Sequence, residues 1–403
     1  MFLCRNFPAL LGLLLVVCHA RPLYAQADTY QHMRHLGALN TPKDLQDIRR
    51  LIAQKAQPWY GTFVILRQNS HDAPSYSPHP TDTLIRGTAP HHPKENYATL
   101  FNDAAAAYAL ALDWRLTGDT TRGGAAARIL NAWARHLHHI GGTSDKYLAS
   151  GLYGYQLAIA AETLRDFPAW SPADQKTLKD MLLHVFVPMN KEFLHTHNHA
   201  SIDHYWANWD LATLNALMAI GIYTDHPDLY RLAKGYFLHG QGNGALHQAA
   251  WKLYPQEHLA QWQEAGRDQG HTLMGIGLAG TLCQMAWIQG DDLFAADQNR
   301  LLAAARYVAR YNSGMSVPYT PYHNSDVTQP YIAPKGRGLL RPIWALYEGH
   351  YMRLLHQNAP EITSIYEKNP IEGGGGQYGP NSGGFDQLGY GSLLFLTAHA
   401  LEK

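Results

Sequence analysis

The stretch HTHNHASIDHYWANWD, His195 to Asp210, carries four histidines, two asparagines, two tryptophans and a tyrosine in sixteen residues. A neutral imidazole takes up a proton near pH 7, and an amide beside it donates hydrogen bonds to an oxyanion. Asn198 and His199 are such neighbours. On a helix beginning near His204, the side chains of His204, Asn208 and Asn215 share one face, at spacings of four and seven. That face carries no charge and reads as the wall of a wet cleft, although the same groups would also serve to satisfy loop carbonyls. Four histidines invite a metal as well. HxHxH followed by His204 matches no closed zinc site and no Cys lies nearby, so neither metal nor cofactor is expected.

The second constellation is QWQEAGRDQGH, Gln261 to His271. Arg267 offers a planar fork of donors suited to a carboxylate, with Glu264 and Asp268 placed to orient it. A plain ion pair that ties the loop down is the rival reading. His271 falls near the first turn of the next helix. Just upstream, Tyr254 is either a phenol over a cleft or a loop anchor, and Trp206 and Trp262 offer flat faces on which a sugar ring can stack. Together these groups suit an acidic sugar. Elimination needs the carboxylate neutralised, a base for the proton alpha to it, and an acid for the leaving oxygen. Asn and Arg suit the first task, and His and Tyr the other two. A glycoside hydrolase would instead need two carboxyl groups flanking the bond, and the spacing pairs none of Glu264, Asp268, Asp203 and Asp210. A non-catalytic polysaccharide-binding protein that uses the aromatic faces is the other alternative.

These groups must be held by helices. From Asn96 onward apolar residues recur at three-and-four spacing, broken by Gly, Pro, Asn and Asp. The pattern predicts helices over 96–119, 123–139, 148–166, 172–187, 204–222, 227–238, 271–288, 297–311, 339–356 and 389–400, with long loops at 58–94, 240–264 and 313–338. No alternating strand pattern stands out. The expected class is all-α, with antiparallel helix pairs stacked as an open bundle, a superhelix or a closed ring. Residues 1–27 read as an export signal: an early Arg, an apolar run over 7–17 too short to span a bilayer, and an Ala-Gln-Ala end. Residues 28–403 are then a single domain, periplasmic or secreted, with no membrane association once the signal is cut. Only Cys283 remains in it, so no internal disulfide forms. Lys and Arg total 32 against 32 Asp and Glu, and no basic run exists, which argues against nucleic acid as a partner. The expected partner is an acidic polysaccharide. Oligomeric state is not legible.

The segments NDAAAAYALALDWRLTGD, LASGLYGYQLAIAAE, HNHASIDHYWANWDLATLNALMAIGI and EAGRDQGHTLMGIGLAGTLCQMAWIQGDDLF resemble the alginate lyase superfamily of polysaccharide lyases. The nearest branch is polysaccharide lyase family 38, which acts on glucuronan and alginate. The resemblance implies an (α/α) toroid, an incomplete barrel of antiparallel helix hairpins, and beta-elimination that leaves a 4,5-unsaturated uronate end. It implies that Asn198 and His199 neutralise the carboxylate and accept the proton, with Arg267 assisting. Relatives carry a proton-donating Tyr seven residues after that Arg, where this chain has Met274. Tyr254 is the expected replacement and His271 the second. His204 and Asn208 are expected to line the same cleft, and Asn102, Tyr153 and Tyr155 to contact flanking sugars.

Overall fold

In the computed structural model, residues 32–35, 37–88, 93–379 and 384–397 are described. The expected export signal lies outside them. Before the first predicted helix come α1 (Pro42–Ala53) and α2 (Trp59–Gln68). Then follow α3 (Ala98–Thr117), α4 (Thr120–His136), α5 (Asp145–Leu164), α6 (Pro172–Met181), α7 (Val187–Thr196), α8 (Ala207–Thr224) and α9 (Pro227–His239). A short α10 (Leu246–Ala249) precedes α11 (Gln269–Gln289) and α12 (Ala296–Asn312), and α13 (Trp344–Tyr347), α14 (Pro360–Tyr366) and α15 (Gly391–Leu394) complete the order. From His32 on the chain is one compact unit. No described helix is long and apolar enough to cross a membrane.

The helices form two layers. The inner row runs α3, α5, α8, α11, each beside the next, while α4, α9 and α12 return along the outside of α3, α8 and α11. The row continues through α13 and α15 to α2, which lies against α3. This is the expected α/α toroid. Sequence dictates the layering. All 18 residues of α8 are buried, its polar Asn208, Asp210, Thr213, Asn215 and Thr224 among them, whereas α4, α9 and α12 bury one face and leave polar residues outside. Inner helices approach closely through small residues: a Cβ on Gly151 of α5 would lie 2.8 Å from the Ala212 backbone carbon of α8. Gly151→Ala must therefore push two packed helices apart. We expect a loss of about 1–3 kcal/mol, read as a lower Tm in thermal melts.

Several boundaries differ from the sequence expectation. The helix predicted to stop at 187 continues: a π-helical stretch, Leu182–Phe186, joins α6 to α7. Pro188 lacks an N–H, and the wider turn before it absorbs that lost bond. The helix expected from His204 starts at Ala207, because Trp206 is extended (φ −73°, ψ 159°). The loop expected over 58–94 contains α2 and a strand. Among the described residues there are three two-stranded pairs: β1 (Thr83–Arg86) with β2 (His139–Gly142), parallel; β3 (Lys252–Tyr254) with β4 (Leu259–Gln261), and β5 (Tyr322–His323) with β6 (Thr328–Gln329), both antiparallel. They are too short to show alternation.

Candidate active site

A cleft of about 290 Å³ opens where the inner helices begin, lined by Arg86, Glu95, Tyr97, Asp145, Leu148, Asn208, Trp209, Arg267 and His271. Tyr97 is the residue before α3, Asp145 is the first of α5, Asn208 the second of α8 and His271 the third of α11. Four helix N-termini thus converge on one cleft. Their dipoles favour negative charge there, although first-turn N–H groups of α8 and α11 are already capped by Gln263, Glu264 and Asp268. The same geometry explains why only first-turn residues reach the cleft. Asn215 stands seven residues, about 10 Å, further along α8, and its amide donates to the Leu211 and Leu278 carbonyls instead.

One wall is built around Glu264, which is fully buried. Its oxygens accept from the Asn208 backbone N–H (3.2 Å), the Asn208 side-chain amide (3.0 Å) and the Arg267 guanidinium (3.0 Å). Burial raises the Glu264 carboxyl, and the charges of Arg267 and His271 pull against that rise. The Arg267 guanidinium lies 4.7 Å from the centre of the Trp206 ring, a cation–π contact that fixes its plane. Arg267 is therefore held from two sides while its remaining donors stay available to the cleft.

His271 is oriented by Asp268, the N-cap of α11. One Asp268 oxygen accepts from the His271 backbone N–H (2.8 Å), and the other lies 2.7 Å from ring Nδ1. Burial raises the Asp268 carboxyl, but the hydrogen bonds and charge of His271, with the charge of Arg267, outweigh it and hold it at about 2. An ionised Asp268 only accepts, so ring Nδ1 is the donor in this contact and Nε2 is the ring nitrogen left without that partner.

The opposite wall was not anticipated from sequence. Arg86 is buried at the end of β1, its guanidinium 5.1 Å from the Tyr97 ring centre and donating to the Tyr153 hydroxyl at 3.3 Å. Its strand pairs with β2 in a register that sets Arg86 opposite Gly142, whose φ of 121° and contact with the Arg86 carbonyl leave no room for a Cβ. Glu95 accepts from the Gly87 N–H. No local motif marks Arg86, Glu95, Tyr97 or Asp145; Trp209 also borders the cleft.

The structure brings together Asn208, Arg267 and His271, with Trp206 behind Arg267. It places the other expected site residues elsewhere. Asn198 and His199 do not line this cleft: the Asn198 amide donates to the Tyr205 hydroxyl at 3.0 Å, and His199 is exposed. The Tyr205 ring lies tilted against Trp209, centres 4.7 Å apart, so Asn198 is linked to the cleft-lining Trp209 through Tyr205. The Tyr254 hydroxyl donates to Gln261 (2.8 Å) and meets Thr320 (2.9 Å), a loop anchor rather than a cleft phenol. His204 is exposed and pairs with Asp326 at 2.7 Å. Tyr153, Tyr155 and Trp262 are fully buried and present no face to a sugar: Tyr153 supports Arg86, Tyr155 donates to the Asp386 carbonyl, and Trp262 fills the space above Gly275. Asn102 is bonded to His71 at 3.0 Å. Among the described residues no group of three His, Cys, Asp or Glu side chains is arranged to hold a metal ion.

Comparison with known proteins agrees with this architecture. The chain resembles a crystal structure of an alginate lyase from Bacteroides ovatus at 15% identity and a TM-score of 0.56, over 82% of this chain and 95% of that one. It resembles alginate lyase A1-III from Sphingomonas species A1 at 14% identity and 0.54, over 90% and 95%. A variant of A1-III complexed with a tetrasaccharide gives 14% identity and 0.58 over the same shares. At such identities the likeness shows the fold, an α/α toroid. No curated protein matches the chain. The family model described as alginate lyase matches residues 67–316, more than half of the sequence, so the chain belongs to the alginate lyase family and is a polysaccharide lyase.

Proposed function

We propose that this protein cleaves a uronic-acid polymer, glucuronan or alginate, by beta-elimination in the cleft at the helix N-termini. The observation that carries the reading is the pairing, in one cavity, of a braced guanidinium (Arg267 on Glu264 and Trp206) with an imidazole held by an ionised carboxylate (His271 on Asp268). Arg267 and Asn208, helped by the N-termini of α8 and α11, neutralise the sugar carboxylate and make the adjacent ring C–H acidic. His271 Nε2 takes that proton. The C–H electron pair becomes the new double bond as the glycosidic C–O bond breaks. Tyr97, on the facing wall, returns a proton to the departing oxygen.

A second assignment of the base is favoured by one observation. His197, Asn198 and His199 are consecutive left-handed residues (φ 44°, 53° and 62°), a rare run outside glycine, pinned by buried His197 against Asp210 at 3.2 Å. Strain of this kind is kept where it positions something, and here it presents the Asn198-His199 pair. In either assignment, incubation with glucuronan or alginate should raise ultraviolet absorbance, because elimination conjugates the double bond to the carboxylate. Chain shortening without that absorbance would defeat the lyase reading.

Export and membership of polysaccharide lyase family 38 belong to the same proposal. The support for export is the apolar leader over residues 1–27; N-terminal sequencing of the processed protein should begin at Asp28. Turnover of glucuronan would support that branch, whereas turnover of alginate alone would not distinguish it from other alginate lyases.

A further inference from the structure

The loop between α12 and α13 straddles the cleft end of the toroid, and nothing in the proposed chemistry uses it. It is fastened on both sides. On one, Asn324 and Ser325 bond Asp203, and Asp326 meets His204, just before α8. On the other, the Ala333 N–H donates to the Ala265 carbonyl (2.9 Å), and the Gln269 N–H donates to the Lys335 carbonyl (2.8 Å), around the start of α11. Between these ties the chain makes an arch. Gln329 and Ala333 are buried, while Tyr331 at the crest is 70% exposed, far above any other described large apolar side chain. Gly266, the neighbour of Arg267, lies directly beneath Gln329 and the Tyr319 hydroxyl.

Two residues of chain reach at most about 7 Å, so Tyr331 is confined to the neighbourhood of Ala265 to Arg267. Pro330 before it and the ladder of β6 remove much of the freedom that an exposed loop residue would have. A fixed, solvent-facing phenol offers a flat apolar face at little further ordering cost. Tyr331 also lies outside the residues that the family model matches.

Resting on the lyase reading, we propose that Tyr331 is a sugar-stacking platform that extends the cleft past Arg267 and grips a pyranose ring of the same polymer, beyond the unit being cleaved. It binds chain length, not the reacting centre. Tyr331→Ala should raise KM for long glucuronan or alginate about five- to tenfold, leave kcat unchanged, and leave KM for the shortest cleavable oligomer unchanged. Tyr331→Trp should restore the long-chain KM. Affinity electrophoresis in gels that contain each polymer reads the contact without catalysis: wild type and Tyr331→Trp should be retarded, and Tyr331→Ala much less. Equal retardation of wild type and Tyr331→Ala, or no retardation of either, overturns the platform. Absence of ultraviolet product from every uronate polymer, with retardation still lost in Tyr331→Ala, overturns the lyase reading and leaves the platform standing.

Discussion

Replacing His271 by alanine is expected to lower kcat about 10²- to 10⁴-fold, the range that a positioned general base contributes, while the melting temperature stays near wild type. The side chain is a quarter exposed at the cleft, and among the described residues its hydrogen-bond partner is Asp268. Removing the ring leaves Asp268 with the backbone N–H that already caps α11, so the fold loses little. Asp268→Asn should act on the same step less severely: an amide does not fix the tautomer as a carboxylate does, and the population with Nε2 free falls. The sign of the pH dependence follows from Asp268. Its carboxyl is depressed to about 2, so its contribution to stability is present above the unfolded value near pH 4 and is lost as pH falls toward 2. His199→Ala is the control. If it abolishes turnover while His271→Ala retains it, the base is the residue presented by the left-handed run and not the one on α11.

Much of this site was written in local chemistry. Arg267 and His271 stood out because a fork of donors and an imidazole occur four residues apart beside two carboxylates, and Asn208 because an amide interrupts an apolar helix. The outer helices were legible from their three-and-four periodicity. The inner ones, apolar on every side, announced burial but not which turn meets the cleft. That is why Tyr153 and Tyr155 read as sugar contacts: they lie eight and ten residues into α5, about 12 and 15 Å beyond Asp145, deep in the toroid wall. Arg86, Tyr97, Glu95 and Asp145 were invisible for a different reason. They become neighbours of Arg267 only when β1 pairs in parallel with β2 and the α3 and α5 N-termini close against α8 and α11. Nothing within a few residues of Arg86 records that pairing. Helix α2 was missed because WYGTFVILRQ is aromatic and β-branched with an internal Gly, a composition that tertiary packing must override.

The second large effect should come from a residue that need not touch substrate. Glu264 accepts from two groups of Asn208 and from Arg267, so Glu264→Ala leaves three donors, two of them buried, without their acceptor at once. We expect kcat/KM to fall about 10²- to 10³-fold, the scale of losing a preorganised electrostatic contact, together with a loss of stability, because each buried Asn208 donor left without an acceptor costs about 1–3 kcal/mol. Glu264→Gln keeps the shape but turns one oxygen into a donor facing the Asn208 donors, so it should retain more of the fold than of the activity. Since burial raises the Glu264 carboxyl, its stabilising share is complete below the unfolded value and declines as pH rises through the folded one. The decisive comparison is with Arg267. If Glu264 works by holding that guanidinium, Arg267→Ala and Glu264→Ala act on one interaction, and the double variant should be little slower than the worse single one. Fully additive losses in kcat/KM would mean that Glu264 supports the fold alone, and that Arg267 needs no partner to meet a carboxylate.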